Sequence, residues 1–377
     1  QADYVAPFRE RGKFETGIRS TLRVIDNYFK VEELNDEENW EVLQGFDNNL
    51  IYHENIYAGY AMVGNEVGKM SYQVGLRGEL SDISVALKRT DSITYQNYFN
   101  LFPSAHFAYK VSDANTVQFS YSYRLSRPRF RDLMPFSSYS NNRSLFTGNP
   151  NLRPEYTHSI EGGYLMNWES GSILSSAYYR KRTGVIERIT VVDSIGYNRT
   201  FPINLATENA YGLEFNFTWN PIRWFRFNAN ANFYRAITEG EYEDQELSRD
   251  TYTWTGRSIA RVTFLKKWDL QANFDYRAPQ NTPQGRRLSM YSLDLALARD
   301  VFKGKGTITA SVRDMFNTRR FRNEVISDDF YSNSDFQWRA RQFLITFSYR
   351  LNQMKESKKK NNEEERNGEE GMFDGGR

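Results

Sequence analysis

The chain has 377 residues, of which 39% are hydrophobic and 16% aromatic, and its 49 Lys and Arg residues nearly balance its 47 Asp and Glu residues. This near-neutral charge gives no indication of nucleic-acid binding, and the lack of cysteine excludes disulfides and thiolate metal sites. No stretch approaches ~18 consecutive apolar residues. The sequence therefore excludes a transmembrane helix but allows a closed β-barrel, which satisfies its own backbone groups.

Alternation of apolar and polar residues with a period of two predicts β-strands along most of the chain. In residues 117–126, one face carries Val, Phe, Tyr and Leu, and the other carries Gln, Ser and Arg. We therefore expect Tyr121 and Phe347 to face lipid, and Ser122 and Ser348 to face a lumen. The same pattern recurs in residues 211–220, 225–233, 270–277 and 343–351.

The predicted connections alternate between short and long. Short connections are expected near residues 65–69, 112–115, 169–172, 220–223, 266–268 and 303–306. Long connections are expected near residues 35–48, 82–99, 127–154, 184–204, 239–253, 278–286 and 318–337. A soluble β-sandwich has no reason to keep this asymmetry, whereas outer-membrane barrels have short periplasmic turns and long extracellular loops. We therefore predict an all-β, antiparallel transmembrane barrel with about fourteen strands within residues 1–352.

Residues 353–377 differ from the rest of the chain. They contain runs of Lys and Glu with Phe373 as their single aromatic residue, and such a segment cannot bury a core. We predict a disordered, charged periplasmic tail. The alternative is a docking peptide that uses Met372 and Phe373 as its apolar anchor.

Several segments resemble a known family. Residues 97–136 and 147–164, the NPNLRPE motif at 149–155 and the run VRDMFN at 312–317 are similar to an outer-membrane β-barrel family. This family is common in Bacteroidota and related to TonB-dependent receptors, and the resemblance covers residues 1 to about 352. It implies a barrel of 22 strands closed around an N-terminal plug. The sequence shows no signal peptide, TonB box or plug, so we expect the chain to be the C-terminal part of such a barrel.

Two groups of residues are candidates for solute contact. Alternation predicts that the following residues face the lumen: Arg77, Arg124, Arg226, Arg257, Arg261, Asp275 and Arg277. Such a face suits either the carboxylates of a plug or a path for anionic or polar solutes. Arginines interleaved with aromatics, which are frequent in ligand surfaces, give the loop candidates Arg129, Phe130, Arg131, Tyr139, Arg143, Arg320, Arg322, Tyr331 and Trp338. The alternative is that these loops pack against themselves.

The sequence contains no catalytic constellation. Its 3 histidines fall on different predicted strands without the spacing of metal ligands, so we predict no enzyme activity, no metal and no cofactor. We predict a TonB-dependent-receptor-like transporter in the outer membrane of a Gram-negative bacterium. Its expected partners are outer-membrane lipid, the plug and further strands of the same protein, and the TonB system through the plug. The alternatives are a non-transport scaffold or partner subunit of an outer-membrane complex, or a passive channel.

Overall fold

The structure, a computed structural model, describes residues 1–134, 138–141, 144–192, 196, 198–243, 245–265, 267–326 and 330–351. The predicted tail and Arg143 lie outside these residues. The all-β prediction is confirmed, because strands make up most of the described chain. Among the described residues, no helix combines the length and the apolar character needed to cross a membrane.

In the described part of the chain, fifteen strands form one continuous antiparallel wall. In chain order they are β1 (Ala2–Phe8), β2 (Gly12–Leu34), β3 (Trp40–Val67), β4 (Met70–Leu87), β5 (Ser92–Lys110), β6 (Asn115–Ser126), β9 (Glu155–Trp168), β10 (Gly171–Val192), β11 (Asn198–Ile222), β12 (Phe225–Tyr242), β14 (Arg249–Phe264), β15 (Trp268–Arg277), β18 (Met290–Val301), β19 (Gly306–Arg313) and β22 (Gln342–Tyr349). This is one strand more than predicted, because Ala2–Phe8 pairs along β2.

Each wall strand pairs with the next one along the chain, from β1 with β2 to β19 with β22. Within the described residues, no ladder joins β1 or β2 to β22. The wall is therefore a single sheet with two edges, and each strand runs antiparallel to its neighbours.

Four of the predicted long loops are wrong, because strands continue through most of them. Residues 35–48, 82–99, 184–204 and 239–253 belong largely to extended hairpins, and β3 alone has 28 residues. A strand needs only about 10 residues to cross a membrane, so these hairpins extend well beyond it. Pairing them satisfies backbone groups that an irregular loop would have to satisfy in other ways.

Among the described residues, five connections contain short elements of their own. Between β6 and β9 lie α1 (Phe130–Leu133), β7 (Ser138–Asn141) and β8 (Ser144–Phe146), and β8 pairs in parallel with β11. Between β12 and β14 lies β13 (Gln245–Glu246), and a 3-10 turn, Phe302–Gly304, joins β18 to β19. A small antiparallel sheet combines two hairpins from different connections: β16 (Gln280–Thr282), β17 (Gly285–Arg287), β20 (Phe321–Ile326) and β21 (Tyr331–Phe336).

The two faces of the wall differ in character. The outer face presents large apolar side chains, such as Phe119 at 46% exposure and Leu213 at 50%. Aromatic rings pair near both ends of the strands, as in Trp219–Phe225 at 5.8 Å between ring centroids. Among the described residues, two buried apolar clusters lie near the long-loop end. In the inner apolar cluster Leu133 and Leu152 pack on β3 and β4, and the second cluster contains Ile189, Phe201 and Leu247.

Candidate functional site

A cavity of about 850 Å³ lies against the inner face of the wall. Its lining extends from Met62 on β3 to Ile259 on β14, so the sheet curves around it. Ten of the 22 lining residues are Ser, Thr, Asn or Gln, and the charged ones are Arg124, Glu161 and Arg257. The predicted lumen is therefore polar but only sparsely charged at this level.

A second recess, of about 990 Å³, lies at the long-loop end. It brings together residues that the sequence analysis assigned separately to loops and to the lumen: Arg129, Arg320, Arg322, Arg257, Asp275 and Arg277. Arg287 on β17 also lines it and was missed, because residues 278–286 were predicted to be an irregular loop that ended one residue before it.

Only part of this positive charge is balanced locally. Arg257 Nε donates to Asp275 Oδ1 at 2.7 Å, and Arg320 lies 3.3 Å from Asp335. Arg322 donates to the backbone oxygen of Ser289 at 2.8 Å, which is a neutral partner.

Other wall arginines have carboxylate partners on the same wall. Arg77 lies 3.0 Å from Glu79, and Arg261 lies 3.0 Å from Asp269. Burial lowers the pKa of Arg127, but its hydrogen bond with Glu79 offsets this, so the pKa lies above its ordinary value. The structure places Arg226 opposite Arg261 on neighbouring strands.

The NPNLRPE motif anchors the connection between β6 and β9. Asn149 Oδ1 accepts the Asn151 N–H at 3.0 Å, and Leu152 is fully buried in the inner apolar cluster. Gln96 donates to Leu152 O at 2.7 Å, and the Ile186 N–H donates to Glu155 at 2.6 Å. The motif therefore joins the connection between β6 and β9 to both β5 and β10.

The aromatic loop candidates lie apart from the recess. Phe130 packs edge-on against Tyr52 at 5.7 Å, and the Arg131 guanidinium lies over the Phe146 ring at 5.6 Å. Tyr331 and Trp338 are 63% and 74% exposed and do not line the recess. Tyr139 lies on β7, and its side chain is outside the described part of the structure.

The described residues contain no group of three or more His, Asp or Glu side chains that could hold a metal ion. His106 lines the inner cavity. His158 lies on the outer face, where its ring stacks on Tyr123 at 4.2 Å and Nδ1 lies 3.0 Å from the Tyr121 hydroxyl.

Comparison with known proteins decides the family. The sequence profile of the outer membrane protein beta-barrel family matches residues 1–349. The chain belongs to this family. It is therefore a protein of the outer membrane of a Gram-negative bacterium. No curated protein matches its sequence.

Solved structures of TonB-dependent receptors share the fold of this outer-membrane barrel. The copper transporter OprC has a TM-score of 0.66 at 12% identity, with 92% of this chain and 55% of that chain covered. The FrpB iron transporter from Neisseria meningitidis (F3-3 variant) has a TM-score of 0.58 at 12% identity, covering 92% and 54%. The ferric citrate transporter FecA has a TM-score of 0.58 at 11% identity, covering 92% and 53%. The chain spans about half the length of these structures.

Proposed function

We propose that this barrel forms the wall and outer loops of a TonB-dependent transporter. The observation that carries the proposal is the pair of cavities on its inner face, which extend from the long-loop end down a polar lumen. Long connections face the exterior in outer-membrane barrels, so the arginine recess is the first internal surface that an incoming solute meets. The likeness of the fold to copper and iron transporters supports this function.

We propose that further strands complete the wall. Because the fifteen strands alternate in direction, β1 and β22 run the same way. An antiparallel closure therefore needs an odd number of strands between them. Seven would give 22, the strand number of the large plugged outer-membrane transporters. A plug inside the lumen and TonB acting on that plug are the further partners of this proposal.

Uptake in the native bacterium tests the transport function. We expect deletion of the gene to abolish accumulation of one or a few extracellular solutes, and a protonophore to do the same in the parent strain. Unchanged uptake together with loss of a partner protein from the outer membrane would instead support the scaffold function. Uptake that resists the protonophore, with open conductance in planar bilayers, would support a passive channel.

A further inference from the structure

We infer that the recess at the long-loop end binds a solute that carries two or more carboxylate or phosphate groups. This inference rests on the proposed transport function and adds a substrate class to it. Among the described residues, the recess is lined by 6 arginines, Arg129, Arg257, Arg277, Arg287, Arg320 and Arg322, and by a single carboxylate, that of Asp275.

Four of these arginines have no carboxylate partner among the described residues. Arg257 pairs with Asp275, and Arg320 pairs with Asp335 outside the recess. The Arg322 guanidinium has only a backbone oxygen as its partner. The side chains of Arg129, Arg277 and Arg287 make no hydrogen bond or ion pair within the described part of the chain.

The fold holds these like charges together. Arg129 lies on the connection anchored by the NPNLRPE motif, and Arg277 ends wall strand β15. Arg287 pairs with Asn323 in the ladder between β17 and β20, which places it near Arg322. Like charges in one recess repel each other and destabilise the fold. A site that keeps them despite this repulsion suits a ligand that brings the opposite charge.

The chemistry of the recess indicates which anions fit. Guanidinium groups donate paired hydrogen bonds in a planar fork that matches carboxylate and phosphate oxygens. Thr253, Thr255 and Gln280 add neutral hydrogen-bonding groups at the same surface. The volume of about 990 Å³ is at the upper end of the range for small-molecule sites, so it admits a solute larger than a single inorganic anion.

The position of the recess favours a solute, rather than a lipid headgroup, as the source of the anionic groups. Arg257 and Asp275 lie on the inner face of the wall, whereas lipid contacts the opposite face. The inner cavity below has far fewer charges for its size, with Arg124, Glu161 and Arg257 on its lining. Anion recognition is therefore confined to the recess at the long-loop end, which forms the mouth of the barrel.

Isothermal titration of the full-length protein in detergent tests this inference. The probes are sodium pyrophosphate and tricarballylate, with trehalose as the neutral comparison. We expect at least one anion to bind with an affinity that falls as salt rises, and trehalose not to bind. Arg287→Gln and Arg277→Gln should each weaken the binding about tenfold or more.

The matched control is Arg286→Gln. Arg286 neighbours Arg287 on β17 but pairs with Glu324 at 2.5 Å and does not line the recess, so anion binding should stay unchanged. Heat-modifiable migration on gels verifies that each variant barrel is folded. Binding of neither anion, or equal losses in the Arg286 and Arg287 variants, would overturn the inference.

Uptake distinguishes this inference from the transport proposal. If anions bind as expected but no solute is accumulated, the transport proposal fails and the binding site remains. If a neutral solute is taken up normally by the Arg287→Gln and Arg277→Gln variants and no anion binds, the substrate class is wrong while transport remains.

Discussion

Gln284 holds Thr190 with both ends of its side-chain amide. Its Nε2 donates to Thr190 O at 2.9 Å, and its Oε1 accepts the Thr190 N–H at 2.7 Å. The two residues are 94 positions apart in the chain, so this contact ties the hairpin β16–β17 to the extension of β10. Next to it, any side chain at Gly285 would collide with the carbonyl oxygen of Glu324, and its φ of +135° favours glycine.

Replacing Gln284 should therefore loosen the mouth of the barrel. In Gln284→Ala, we expect amide exchange around Thr190 to become about ten- to thirtyfold faster, because two hydrogen bonds of about 1 kcal/mol each are lost. Hydrogen exchange with mass spectrometry measures this. The control is Gln271→Ala, because the Gln271 amide donates to Asn273 on the same strand. Unchanged amide exchange at Thr190 would show that the two hydrogen bonds between Gln284 and Thr190 do not form in solution.

The anchoring role of the NPNLRPE motif can be tested at Leu152. Leu152→Ala removes a fully buried side chain from the inner cluster and should destabilise the region by about 2–5 kcal/mol. We expect a lower midpoint in denaturant and faster proteolysis within residues 127–154. Leu351→Ala, at a position that is 86% exposed, is the control and should change neither. Equal stability of the two variants would contradict the packing described here.

The two faces of β6 give a test of membrane orientation. Phe119 is on the outer face, whereas its neighbour Ser120 lines the inner cavity. Arginine on the lipid face near mid-bilayer costs about 2–4 kcal/mol. Phe119→Arg should therefore impair refolding into lipid vesicles much more than Ser120→Arg. A larger effect at Ser120 would mean that the faces are reversed.

Two arginine–carboxylate contacts differ in burial and should differ in importance. The Arg249 side chain is 8% exposed and contacts both Glu187 and Glu208. Arg249→Gln should cost about 3–5 kcal/mol, because it leaves the buried Glu208 and the partly buried Glu187 without this partner. Arg235→Gln breaks an exposed pair with Asp250 and should have little effect. Urea titration of both variants in micelles measures the difference, and equal losses would argue against a buried network.

The sequence predicted the membrane-facing strands well, because one wet face and one apolar face produce the alternation seen in residues 117–126. The hairpin extensions could not be predicted in the same way. At the start of β3, residues 40–42 are exposed on both faces of the strand, so the alternation that marks a strand is lost there.

The set of residues that lines the recess also could not be predicted from the sequence. Its arginines come from two loops, two wall strands and a small sheet, and only the pairing of β17 with β20 places Arg287 near Arg322. The NPNLRPE motif was visible as a resemblance, but its role depends on Gln96 and Ile186, which lie on other strands.

The uneven charge of the inner surface bears on how long a solute would stay. At the mouth, unpaired guanidinium groups would bind an anion tightly, and tight binding favours capture at low solute concentration. Further down, serine, asparagine and glutamine side chains offer many weak and interchangeable hydrogen bonds. Below the mouth, Arg261 already has Asp269 beside it, so it offers an anion little additional attraction. The residence time would therefore be set at the entrance, and a solute released from it would meet no second high-affinity site further along the lumen.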